Sequence, residues 1–249
     1  MKKLENKVAV ITGGNSGIGL STALLFAEQG AKVVITGRNE QTLKSAAETI
    51  GHDAEGIVSD VTDLVSIASA YQQIGDKFGK IDVLVVNAGI AIGAPLADVT
   101  EKLFDQISDT NFKGVFFSVK LALPYLNEGA SVILTSSATN EKGFPGYAAY
   151  AATKAAVRSL ARGFSTDLME RNIRVNVLSP GAIDTPIWGR GGSSAEEISG
   201  TKDYMATIIP AKRLGTGDEI AEGFLYLASD ASRYMFGSEL VMDGGVKTL

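Results

Sequence analysis

The sequence predicts an α/β protein built on one parallel, doubly wound sheet of about seven strands, with helices on both faces. Three observations carry this. Short β-branched apolar runs alternate with longer helical stretches along the whole chain, the pattern that right-handed βαβ crossovers produce. One run, IDVLVV at 81–86, is almost continuously apolar, as expected of a strand covered on both faces. The first run passes directly into a glycine-rich turn that opens a helix, the junction such sheets repeat.

Taken in order, residues 7–12 (KVAVIT) form the first expected strand, ended by Gly13 and Gly14. A helix follows at 17–29, stopped by Gly30 just past its end, where glycine accepts a left-handed backbone. KVVIT at 32–36 is the second strand, and Asn39 N-caps a helix to about Ile50. A third strand is expected at 56–59, and Asp63 opens a helix toward Phe78. Beyond the strand at 81–86, a long helical segment at 100–126 leads to a strand at 131–135. A helix at 148–170 leads to a strand at 174–178, and a helix at 218–228 to a last strand at 239–242. Residues 189–200 are rich in glycine, serine and charge but too short to separate domains. The expectation is one domain, 1–249, carrying a mobile lid at about 187–210 whose flexible part is Gly191, Gly192, Ser193 and Ser194. Glu196-Glu197 and Asp218-Glu219 read as acids at helix starts, where the dipole favours them.

Composition narrows the chemistry. The 249 residues include 28 glycines, one histidine and no cysteine. Disulfides, thiolate nucleophiles, cysteine-based zinc sites and His-pair metal sites are excluded, so no bound metal is expected. His52, in a Gly-His-Asp turn, reads as a solvated turn residue. Acid–base work then falls to Tyr, Lys, Ser, Asp or Glu. With 23 basic and 28 acidic side chains the formal net charge is −5, which argues against a nucleic-acid partner. A hydrophobic content of 45 % suffices for a sizeable core. No apolar run nears the ~18 residues of a membrane span, and no long apolar leader follows Met1. A soluble cytoplasmic protein, with no membrane partner, is expected.

The turn after the first strand reads Thr12-Gly13-Gly14-Asn15-Ser16-Gly17-Ile18-Gly19. Glycine is needed where φ is positive and where a phosphate approaches the backbone, and the helix N-terminus offers N–H groups to a pyrophosphate. Gly13, Asn15, Ser16, Gly17, Ile18 and Gly19 are therefore candidate dinucleotide contacts, although the Gly-x₃-Gly-x-Gly spacing is wider than G-x-G-x-x-G. At the end of the second strand a carboxylate would bind the ribose hydroxyls of NAD, but Gly37 stands there, followed by Arg38. A guanidinium suits a 2′-phosphate, so NADP(H) is favoured and NAD(H) is the alternative; solvation, or stacking on adenine, would equally occupy Arg38.

Tyr150 and Lys154 are four residues apart, hence on one face of the expected helix. A tyrosine near pKa ~10 is a poor base at neutral pH. Lowering it to about 7 takes roughly 4 kcal/mol, the size of one ammonium at ~4 Å in an effective dielectric near 20. Tyr147 is a rival that lacks a lysine one turn on, since its i+4 residue is Ala151.

Together, Thr12–Gly19, Asn87-Ala88-Gly89, Ser137, Tyr150, Lys154, Pro180-Gly181 and the ending Met242-Asp243-Gly244-Gly245 resemble the short-chain dehydrogenase/reductase family, shorter single-domain branch, across essentially the whole chain. The resemblance implies a Rossmann-type fold and hydride transfer between NAD(P)H and a ketone or secondary alcohol. It implies that Tyr150 is the general acid/base, Ser137 rather than Ser136 binds the same oxygen, and Lys154 lowers the tyrosine pKa and binds the nicotinamide ribose. Asn111 would hold a water linking the lysine to solvent, although an asparagine inside a helix also reads as a kink or local side-chain bond. Asp60 and Val61 would meet adenine; Asn87, Ala88 and Gly89 would line the adenosine side; Pro180, Gly181, Ile183 and Thr185 would lie beside the carboxamide. Trp188, Ile187, Tyr204 and Met205 either line a substrate pocket under the lid or simply pack it.

A carbonyl reductase or alcohol dehydrogenase leads, ahead of a 3-oxoacyl-thioester (acyl-carrier-protein) reductase and a non-catalytic nucleotide-sensing member. Reductases of acidic carrier proteins present basic residues at the entrance, but residues 124–130 carry Glu128 and no base, leaving Arg171 and Arg174 to serve. The resemblance also implies a homotetramer pairing the helix of Ala152, Ala155, Ala156 and Leu160, residues that internal packing explains equally well.

Overall fold

The computed structural model describes residues 2–189 and 194–249. The first half runs β1 (Val8–Thr12), α1 (Gly17–Glu28), β2 (Lys32–Gly37), α2 (Glu40–Ile50), β3 (Glu55–Val58), α3 (Leu64–Phe78) and β4 (Ile81–Val86). The second half runs α4 (Glu101–Ser108), α5 (Gly114–Ala122), β5 (Leu126–Thr135), α6 (Ala148–Asp167) and β6 (Arg174–Pro180). It closes with α7 (Ala195–Ile208), α8 (Gly217–Ala228) and β7 (Glu239–Met242). All seven strands pair in parallel in one Rossmann-type sheet, in the order β3-β2-β1-β4-β5-β6-β7.

Strand periodicity divides the core. Along β1, Ala9 and Ile11 pack into an apolar cluster with Phe26 of α1 and Phe224 of α8, while Val10 packs opposite with Ile74, Val115 and Val157 of α3, α5 and α6. Fully burying side chains such as Phe26 and Phe224 stabilises by roughly 1.5–3 kcal/mol each. With both faces covered, the open places are the sheet's ends. Parallel strands bring all their C-termini to one of them, and the chain reverses direction across the sheet between β1 and β4.

Four boundaries depart from the expectation. The helix expected at 100–126 is interrupted by a π turn, Asp109–Lys113, around Asn111, and ends in a 3-10 turn at Leu123–Tyr125, where Pro124 cannot continue an α-helix. β5 starts at Leu126, five residues before the expected strand, because Leu126 pairs with Ile81 before the register shifts. α6 stops at Asp167, and the chain turns through a 3-10 segment to Asn172 at φ 52. Ser194 is the N-cap of α7 and forms a capping box with Glu197, so this part of the expected flexible stretch starts a helix. Gly191, Gly192 and Ser193 lie outside the described residues. Thr216 and Glu219 cap α8 in the same way, and His52 sits exposed in a turn at φ 51.

Gly19 is fixed by close approach: an added Cβ would collide with the Gly13 carbonyl and lie 2.7 Å from Asn87 Nδ2. Gly163, exposed on α6, has nothing within 4 Å of an added Cβ. Urea unfolding is expected to show Gly19→Ala less stable by about 1–3 kcal/mol and Gly163→Ala more stable by about 0.5–1 kcal/mol.

Candidate active site

The site grows from the C-terminal ends of the strands. Thr12, the last residue of β1, accepts on its hydroxyl from the backbone N–H groups of Asn87 (2.9 Å) and Ala88 (3.0 Å). Asn87 Nδ2 donates back to the Thr12 carbonyl at 3.1 Å. This lock joins β1 to the end of β4 where the strand order reverses, and it brings Gly13, Asn87 and Ala88 together. Gly13 (φ +65) is so close that an added Cβ would lie 3.0 Å from Ala88 Cα.

Gly17 (φ +53) opens α1, and an added Cβ there would lie 3.3 Å from Thr185, so the loop after β6 reaches over the glycine turn. The first turn of α1 carries no acidic residue, as in α3, α5 and α6 and unlike α2, α4, α7 and α8. The positive end of its dipole is therefore not neutralised by its own side chains. Asn15 Nδ2 donates to Thr42 Oγ1 at 2.8 Å, which ties the turn to α2 beside Gly37; Arg38 is exposed there. Positive-φ glycines, close backbone and an unneutralised helix start fit a dinucleotide pyrophosphate.

The other expected contacts lie on the same edge, with differing freedom. Asp60 Oδ1 accepts from Thr62 N and Oγ1 at 2.9 and 2.8 Å, and the Val61 carbonyl packs on Gly114. Gly181 N donates to Met242 O at 3.0 Å, which pins the Pro180-Gly181 turn to β7. Ile183 is buried in the core cluster of α1 and α8, so its side chain faces away from the edge; its carbonyl accepts from Trp188 Nε1 at 2.8 Å.

Asn111, Ser137, Tyr150 and Lys154 are brought together. Ser137 caps the 3-10 turn Ala138–Asn140 after β5 and shares a hydrogen bond with the Tyr150 hydroxyl. Ser136 instead donates to the Lys154 carbonyl at 2.8 Å. Lys154 is 4 % exposed; its Nζ donates to the Thr135 carbonyl at 3.0 Å and lies 5.7 Å from the Tyr150 ring centre. Fully buried Asn111 accepts from Ile90 N (2.9 Å) and donates to Ile90 O (2.8 Å), so its side chain is consumed by that backbone. An added Cβ at Gly89 would lie 3.2 Å from Asn111 Oδ1 and 3.5 Å from Lys154 Nζ. Tyr147 stands edge-on to Tyr150, ring centres 6.0 Å apart.

The electrostatic balance differs from the sequence-based one. Burial pushes the Tyr150 hydroxyl up to about 12, against the pull of the Ser137 hydrogen bond and with a further push from Tyr147. Burial also pushes Lys154 down to about 8. The lysine's hydrogen bond goes to the Thr135 carbonyl, and desolvation is the largest influence on both groups. Sequence reasoning named Thr12 only as the start of the glycine turn, without a role of its own, and did not single out Asn140, Ser179 or Glu239. Of these only Thr12, a hydroxyl ending an apolar strand, carried a local signal.

Residues 13–247 match a family model described as enoyl-(acyl carrier protein) reductase. The 3-oxoacyl-[acyl-carrier-protein] reductase FabG of Thermotoga maritima is 38 % identical over 249 residues, covering 98 % of this chain and 99 % of that protein. The chain belongs to the short-chain dehydrogenase/reductase family. It is an oxidoreductase acting on CH–OH donors. The NADP-dependent (R)-specific alcohol dehydrogenase of Lentilactobacillus kefiri, another relative, is 35 % identical over 252 residues, with 98 % and 97 % covered. The crystal structure of a short-chain type dehydrogenase/reductase from Mycobacterium marinum matches at TM-score 0.91 and 33 % identity, over 99 % of this chain and 98 % of that one. Among the described residues, no helix is long and apolar enough to cross a membrane.

Proposed function

We propose that the protein is an NADP(H)-preferring carbonyl reductase or alcohol dehydrogenase working on ketones and secondary alcohols. The observation that carries the reading is the Ser137–Tyr150 hydroxyl pair beside the buried Lys154 ammonium. A bound nicotinamide dinucleotide supplies or accepts the hydride. Gly13, Asn15, Ser16, Gly17, Ile18 and Gly19 would hold its pyrophosphate, Asp60 and Val61 its adenine, and Asn87, Ala88 and Gly89 its adenosine side. Tyr150 and Lys154 would bind the nicotinamide ribose, with Pro180, Gly181, Ile183 and Thr185 beside the carboxamide.

Held well above neutrality, Tyr150 keeps its proton and is poised to give it to a carbonyl oxygen that Ser137 orients. The Lys154 charge then opposes the phenolate left behind. Because the Asn111 side chain is spent on Ile90, a water between lysine and solvent would rest on its backbone carbonyl in the π turn. Gly37 leaves room and no repulsion for a 2′-phosphate, and the NADP-dependent relative supports the same preference.

The carrier-protein reading is favoured by the Thermotoga relative and the matched family description. Against it stand the two arginines left to serve it. Arg171 is held by Glu128 (2.9 Å) and by the carbonyls of Leu123 and Leu126. Arg174, 7 % exposed, donates to Leu227 O and Ser232 Oγ. Both are spent on joining β5, β6 and α8. The lid at about 187–210 is supported by α7, which buries no side chain and is tied to the β6 loop by an exposed Lys202–Asp184 pair. A homotetramer is supported by exposed Ala152 and Ala155 on α6 and by Phe104 and Phe112 nearby. The cytoplasmic, small-molecule reading is kept with it.

Tyr150→Phe is expected to lower kcat/KM for NADPH-driven ketone reduction by about 10²–10⁴-fold while NADPH still binds; a wild-type rate would refute the assignment. Acetoacetyl thioesters assayed beside aryl and alkyl ketones are expected to be the poorer substrates, and a strong thioester preference would reverse the ranking. Arg38→Ala is expected to raise KM for NADPH by about tenfold or more, the scale of a lost charge-assisted bond, with little change for NADH. Equal effects on both cofactors would remove the 2′-phosphate assignment.

A further inference from the structure

One buried carboxylate has no part in the chemistry described so far. Glu239 opens β7 at the edge of the sheet, with its side chain 8 % exposed. Its Oε1 accepts from Asn140 Nδ2 and Ser179 Oγ, each at 2.6 Å. Its Oε2 accepts from Arg158 Nε at 3.2 Å and Lys247 Nζ at 3.1 Å. A carboxylate inside a protein is tolerated only when its lone pairs are filled and its charge opposed, and both conditions are met. Burial works against the charge, but hydrogen bonds from Ser179, Asn140 and Lys247 outweigh it and hold the group at about 2.

The donors arrive from separate segments, three of which carry the candidate site. Asn140 ends the turn that Ser137 begins; its N–H donates to Ser137 O at 3.0 Å, and its Nδ2 also reaches Ser136 Oγ at 3.2 Å. Ser136 in turn holds the Lys154 carbonyl. Arg158 lies one helical turn beyond Lys154 on α6 and also donates to Gly237 O at 3.0 Å. Ser179 immediately precedes Pro180-Gly181. Lys247 comes from the C-terminal segment, which Asp243 folds back by accepting from Gly245 N and Lys247 N.

We infer that Glu239 is a positioning residue: by gathering the Ser137 turn, α6 and the end of β6 at one carboxylate, it sets the Ser137 hydroxyl against Tyr150 and Lys154, and it couples the C-terminal segment to that alignment. The inference rests on the proposed roles of Ser137, Tyr150 and Lys154. Glu239 touches no reacting atom. Its loss therefore acts on the rate of the chemical step more than on the affinity of either substrate.

The test compares Glu239→Gln, Asn140→Ala and Tyr150→Phe with the wild type, using steady-state ketone reduction, NADPH titration by fluorescence, and thermal unfolding. Glu239→Gln is expected to lower kcat by about tenfold or more while KM for the ketone and Kd for NADPH stay within about threefold. Asn140→Ala cuts the link to the Ser137 turn together with the Nδ2 contacts to Ser136 Oγ and Ser179 Oγ, and is expected to lower kcat in the same way. If Glu239→Gln does not fold, Glu239→Asp, which keeps the charge but shortens the reach, replaces it and is expected to show the same selective loss of kcat. Wild-type kcat in the folded variants overturns the inference. So does a loss of kcat that is matched by loss of NADPH binding and of melting temperature, because that pattern marks a general structural role. Tyr150→Phe separates the two levels: inactive Tyr150→Phe with unimpaired Glu239→Gln and Asn140→Ala removes the Glu239 role alone. A fully active Tyr150→Phe removes the catalytic reading and this inference with it.

Discussion

A buried ammonium is the constraint around which the candidate site is arranged. Lys154 Nζ sits in the protein interior with the Thr135 carbonyl as its hydrogen-bond acceptor, and an ion so placed is costly unless its surroundings are fixed. The surroundings are fixed from every side. Gly89 leaves space for it, Asn111 is held rigid by Ile90, and Ser136 pins the lysine's own carbonyl. Val157 and Ala161, buried on the same helix, hold α6 against the sheet. Tyr150 and its Ser137 partner are carried into place by this packing.

The sheet supplies the second half of the arrangement. Because every strand is parallel, β1, β2, β4, β5 and β6 all deliver their C-terminal residues to one edge, and the reversal between β1 and β4 opens a crevice there. The Thr12–Asn87 lock joins the ends of β1 and β4, and the loop of Thr185 reaches from β6 to the glycine turn. The glycine turn and the Ser137–Tyr150–Lys154 group thus share one edge of the sheet.

What was legible in the sequence is what short-range rules determine. KVAVIT, KVVIT and IDVLVV announce buried strands by composition alone, and the i, i+4 spacing of Tyr150 and Lys154 places them on one helical face. The glycine turn is readable because its spacing is local. The misses have long-range causes. The break of the 100–126 helix at Asn111 depends on Ile90, a residue 21 positions away. The early start of β5 depends on pairing with Ile81. Glu239 meets Asn140 across 99 positions, and no local pattern could assign it a partner. The upward push of burial on Tyr150 was not legible for a different reason: spacing reports the distance between two side chains and says nothing of the desolvation both undergo.

That desolvation makes a tension between stability and function measurable. Burial holds the folded-state pKa of Lys154 at about 8, below its ordinary 10.5. The unfolded chain therefore takes up this proton first, so the group weakens the native state fully below about pH 8, and the effect fades as pH rises toward 10.5. The proposed role for Lys154 accounts for a lysine kept at such a cost. The most direct measurement is on Lys154→Met, with ketone reduction and urea unfolding followed together at pH 7. The account predicts a rate lower by at least about 10²-fold and a stability unchanged or raised by on the order of 1–3 kcal/mol. Retained activity, or a fall in stability of several kcal/mol, would contradict it.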